Sequence, residues 1–119
     1  MTLNEFRNEM TTYRASLDRE ARLRKDSQMV LEGLRALYQR FDTPERRMAD
    51  EILEEWIMSE DESVRFDAIA LIDNQRITST IPTLQKLAVR LRSSSDPAAP
   101  YEIKKVERVL TKLNDHGLL

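Results

Sequence analysis

The chain of 119 residues is of ordinary single-domain length, and its 40% apolar and 34% charged side chains, with only two Gly and four Pro, fit amphipathic helices and exclude both disorder and a turn-rich all-β fold. It has no cysteine, which removes disulfides, thiolate metal sites and a cysteine nucleophile together and is compatible with a reducing compartment. The net charge of −2 is unevenly spread, +2 over residues 1–41, −8 over 42–75 and +4 over 76–119, and this points to a patterned surface more than to a nucleic-acid binder.

Asn4, Glu5, Arg7 and Glu9 leave no signal-type apolar stretch at the start, and no run approaches the ~18 apolar residues of a membrane span, so a soluble cytoplasmic protein is expected. Leu3, Phe6, Met10, Tyr13 and Leu17 recur at steps of three and four and predict a first helix with one apolar stripe. Beyond Leu17 the i, i+4 pairs Asp18 with Arg22 and Glu20 with Arg24 predict a solvated end. Asp26 or Ser27 is expected to cap a second helix whose buried face is Val30, Leu31, Leu34, Leu37, Tyr38 and Phe41.

Asp42, Thr43 and Pro44 mark a stop and a restart, because Pro suits the first turn of a helix. A third helix over about residues 44 to 58 carries Met48, Ala49, Ile52, Leu53, Trp56 and Ile57 around half its circumference, wide enough to pack on two sides. Trp56 is expected in the core on that spacing, against the alternative of an interface anchor. A fourth helix begins at Asp61, as its N-cap, and ends near Asp73 and Asn74. A fifth uses Ile81, Leu84, Leu87, Ala88 and Leu91, with Pro82 in its first turn. Ser93 to Pro100 reads as a loop. Ile103, Val106, Val109, Leu110 and Leu113 define a sixth helix, with His116 near its end and Gly117 placed to stop it.

The segment Asp61, Glu62, Ser63, Val64, Arg65, Phe66, Asp67, Ala68, Ile69, Ala70, Leu71, Ile72, with Ile81, Pro82, Thr83, Leu84, Gln85, Lys86 and Leu87 after a polar break, resembles one HEAT repeat. The resemblance is clearest over residues 61–91. It implies that the small Ala68 lets helices approach and that Arg65 bonds acidic or backbone groups of an adjoining repeat. A repeat of this kind cannot bury its own apolar face and must stack. The implied fold is all-α: a short right-handed α-solenoid of about six helices in three antiparallel HEAT-like hairpins, forming one domain over 1–119. A fainter copy offset by 35 residues pairs Asp26 with Asp61 and Gly33 with Ala68, but Val30 stands where Arg65 would.

In such stacks the second helix of each pair lines the concave side, which places Arg47, Asp50, Glu51, Glu54 and Glu55 of the third helix and Lys86 and Arg90 of the fifth on the expected partner-binding surface. Four carboxylates within two turns repel one another, so a basic protein is the partner they suit, and a solvated helix face is the plainer alternative. No Gly-rich phosphate loop or nucleophile elbow is present, and the one histidine excludes a His-rich metal site. No catalytic residue, metal or cofactor is therefore expected. The expected function is non-enzymatic protein binding, in the manner of small bacterial immunity proteins that neutralise a toxin, with an adaptor or regulatory subunit as the alternative. Lys86, Arg90, Arg92, Lys104, Lys105, Arg108 and Lys112 raise nucleic-acid binding as a further class. Against it stand the acidic centre, a pI near 5.5 and the lack of aromatics interleaved with the basic residues.

Overall fold

Thr2 starts the first helix by local chemistry: its Oγ1 accepts from the Glu5 N–H at 3.1 Å while Glu5 Oε1 accepts from the Thr2 N–H at 3.2 Å. This reciprocal box satisfies two donors that every helix start leaves open, and hydrogen bonding to Thr2, first from its backbone N–H, lowers the pKa of the Glu5 carboxyl. The structure is a computed structural model that describes residues 1–117, the side chain of His116 excepted. Its α-helices are α1 (Leu3–Arg24), α2 (Met29–Arg40), α3 (Thr43–Ile57), α4 (Glu62–Gln75), α5 (Ile81–Arg92) and α6 (Ala99–Gly117), with a 3-10 turn at Thr78–Thr80. The described residues contain no strand, and no helix among them is long and apolar enough to cross a membrane. What the chain does after Gly117 lies outside the described residues, as does the expected interaction of His116 with the end of α6.

The chain divides into two compact units, Met1–Ile52 and Leu53–Leu119, with α3 running from one into the other. In the first, α1 and α2 lie antiparallel, since Phe6 meets Phe41 with ring centroids 5.0 Å apart while Leu17 meets Gly33. A Cβ at Gly33 would stand 2.6 Å from Leu17 Cδ1, so a larger residue there would make the Leu17 side chain shift. Phe6, Met10, Val30, Leu34, Tyr38, Ala49 and Ile52 form the buried core. The expected cap of α2 is corrected: Gln28 holds the cap position without a side-chain bond, and Asp26 Oδ1 instead accepts from the Gln28 N–H at 3.0 Å, bracing the turn ahead of the helix. The restart at α3 is a second reciprocal box, Asp42 with Glu45, both bonds 2.9 Å.

In the second unit, Asp61 caps α4 through the Ser63 N–H at 2.9 Å, as expected. The helix passes the predicted stop at Asp73 and Asn74 and closes at Arg76, whose φ of 55° is the left-handed turn that lets its N–H and that of Ile77 return to the Ile72 carbonyl. Lys25 ends α1 the same way at φ 53°. Glycine is the usual occupant of this position, and its absence hides both stops from the sequence. Thr80, fully buried, donates its hydroxyl to the Ile77 carbonyl at 2.8 Å and fixes the turn into α5. The predicted loop is shorter than expected, because α6 already begins at Ala99 and takes Pro100 into its first turn. Leu53, Trp56, Ile57, Ala68, Leu71, Ile72, Leu84, Leu87, Val106 and Leu113 make the core, each large aliphatic side chain contributing about 1.5–3 kcal/mol by burial.

Helix α6 packs against both α5 and α4. The ion pairs Arg65–Glu102 and Asp73–Lys112 run in the same order along α4 and α6, so those two helices are parallel. Likewise Glu54 bonds Thr83 and the Met58 carbonyl bonds Arg90, so the end of α3 is parallel to α5. Helices two apart in sequence thus lie side by side within this unit.

Candidate functional site

The residues expected to bind a partner differ in burial. Asp50 accepts the Tyr38 hydroxyl at 2.9 Å, and Glu54 accepts the Thr83 hydroxyl at 2.8 Å; both are half-buried. Arg90 donates to the Met58 carbonyl at 3.0 Å and pairs with Glu60 at 3.0 Å. Arg47, Glu51, Glu55 and Lys86 are exposed. Trp56 is buried at 7% exposure, which places it in the core. No cluster of metal-ligating side chains occurs among the described residues.

Arg65 takes the structural position expected of it. Its Nε and one terminal nitrogen donate to the two Glu102 oxygens at 2.6 and 3.0 Å, and the other terminal nitrogen donates to the Ser59 and Glu60 carbonyls at 2.9 and 3.2 Å. Such planar, bidentate recognition suits a guanidinium and not an ammonium. The hydrogen bonds to Glu102 push the Arg65 pKa still higher, so the charge is permanent.

One concave feature of the second unit was not anticipated. A groove of about 310 Å³ opens between α4 and α6. Glu62, Phe66, Ile69, Ala70 and Asp73 form one wall; Tyr101, Glu102, Lys105, Arg108, Val109 and Lys112 form most of the other. Across the groove Lys105 reaches Phe66 and Lys112 reaches Asp73, each 39 positions further along the chain. Phe66 and Tyr101 are large aromatics left in solvent at 53% and 74% exposure, above a floor of Ile69 and Val109 that is nearly closed. Lys105 Nζ sits 4.5 Å from the Phe66 ring centroid, a cation over an aromatic face. Asp73 and Lys112 pair at 3.4 Å, and Glu102 is held by Arg65, whereas Arg108 is exposed and forms no ion pair among the described residues.

The sequence does hold a signal for this groove. At 100° per residue, Phe66 lies roughly 120° from the middle of the α4 core stripe, and Tyr101 roughly 140° from that of α6. Both are aromatics on faces that should be polar. Sequence order also hid the mixing of aromatic and basic side chains, since Phe66 reaches Lys105 only across two helices.

Comparison with known protein families, with characterised proteins and with solved structures finds no match to this chain.

Proposed function

We propose that the chain is a non-enzymatic protein-recognition module, built as a short HEAT-like stack, and that the α4–α6 groove is a docking surface. The observation that carries this reading is the pair of solvent-exposed aromatics, Phe66 and Tyr101, flanking an apolar floor. Exposed aromatic area of this kind costs solubility, and rigid aromatics with arginine nearby are what dominate binding energy at protein interfaces. Support for the stack comes from the parallel pairing of α4 with α6 and of the α3 end with α5; the α4–α6 ion pairs, 37 and 39 residues apart, are close to the ~40-residue period of such repeats, and the α3–α5 hydrogen bonds, 29 and 32 apart, are shorter.

A second reading places partner contacts on the solvent-exposed charged residues of each unit taken by itself, Arg47 and Glu51 in the first and Glu55 and Lys86 in the second. A basic protein, such as a cognate toxin, is the partner that exposed carboxylates suit. Affinity capture from host cells with the wild-type chain and with a Phe66→Ala, Tyr101→Ala variant tests the groove. The expected result is loss of specific partners with an unchanged thermal midpoint. Retention of every partner by the folded variant would refute it.

A further inference from the structure

We infer that the α4–α6 groove takes an acidic amphipathic segment of another protein, its apolar side chains set between Phe66 and Tyr101 and its carboxylates turned to Lys105 and Arg108. This rests on the docking role proposed for the groove and adds the chemistry of the occupant. Tyr101, Lys105, Arg108 and Lys112 fall within about 60° on one stripe of α6, and the first and last are eleven positions apart, about 16 Å of helix or three turns. A guest helix of similar length therefore matches the groove end to end.

The charges decide the sign. Asp73 neutralises Lys112, and Glu102 is occupied by Arg65, so two of the three acids lining the groove are already spent. Among the described residues that line the groove this leaves Glu62 as the remaining acid against Lys105 and Arg108, and Lys104 adds a further exposed cation on the same helix. An acidic guest gains attraction along the α6 wall; a basic guest meets repulsion there. A single-stranded nucleic acid fits less well, because one face of Phe66 is already covered by Lys105 and is closed to base stacking. The apolar floor, with Ile69 and Val109 almost closed, offers a seat for aliphatic side chains in place of a stacking platform for successive bases.

The test uses the intact protein and fluorescent peptides of about 14 residues with Leu at i, i+3, i+4 and i+7 and either Glu or Lys at the other positions. A fluorescent oligothymidylate of about 12 nucleotides is the third probe. The expected result is saturable binding of the Glu peptide, at least about tenfold tighter than the Lys peptide and weakened by salt. Phe66→Ala should weaken it about tenfold or more, and a Lys105→Glu, Arg108→Glu variant should reverse the preference between the two peptides. All substituted side chains are exposed, and unchanged thermal midpoints confirm the fold. Equal binding of the two peptides, lost with Phe66→Ala, overturns the acidic guest while leaving protein recognition in place. Binding of the oligonucleotide alone overturns both readings. Binding of no probe, or self-association that is lost with Phe66→Ala and that the Glu peptide does not displace, also overturns the inference.

Discussion

Arg65 illustrates how one side chain can hold several segments at once. Its four hydrogen bonds reach Glu102 on α6 and the two carbonyls that precede α4, and both partners of the ion pair are nearly buried, at 10% and 13% side-chain exposure. Removing one member of such a pair leaves the other charge without compensation, and that loss exceeds the net worth of the pair itself. Arg65→Ala should therefore cost about 3–5 kcal/mol by chemical denaturation. Arg65→Met with Glu102→Leu should recover much of it, and equal losses in the single and double variants would show that the charges are not coupled. Tyr38 is the corresponding residue of the first unit. Burial, then the hydrogen bond to Asp50, pushes its hydroxyl well above the ordinary value of 10.0. A group whose pKa is raised by folding contributes stability that is complete below its unfolded value and declines as pH rises beyond it. Stability should thus fall above pH 10, as ionisation of the unfolded phenol begins to favour unfolding, and Tyr38→Phe should flatten that decline. Identical alkaline profiles for the two proteins would remove Tyr38 as the cause.

Among the elements, the helices were legible because apolar spacing reports directly on burial. The stripes of α3 and α5 coincide with the buried residues Ala49, Ile52, Leu53, Trp56 and Ile57 and Leu84, Leu87, Ala88 and Leu91. Their ends were less legible. Lys25 and Arg76 adopt the left-handed turn without glycine, and the Asp26 carboxylate serves the turn and not the helix. Which helices lie side by side was also hidden, since that depends on long-range pairs such as Asp73 with Lys112 that no local pattern encodes. Ala68, fully buried on α4, is where a small residue is needed if the helix is closely packed. Ala68→Leu should overpack that contact and lower stability by about 1–3 kcal/mol. An unchanged melting midpoint would place Ala68 away from any helix contact.

At the scale of the molecule, the acidic middle and the basic C-terminal part read from composition are partly consumed inside the second unit. Arg90 with Glu60 and Lys112 with Asp73 join residues of the −8 segment to residues of the +4 segment. The charge asymmetry therefore serves packing as well as surface, and a count of charges along the chain cannot separate the two uses. The groove was missed for the same reason. Its walls come from segments 39 positions apart, and Glu62, Phe66 and Ile69 acquire a shared role only once Tyr101, Lys105 and Arg108 stand opposite them.

Arg65–Glu102 near one end and Asp73–Lys112 near the other clamp the two walls together before any guest arrives. A cleft braced in this way sacrifices little freedom of its own on association, so the ordering entropy falls almost wholly on the incoming chain. A guest already helical in isolation would escape most of that penalty and dissociate more slowly than a floppy one of the same composition.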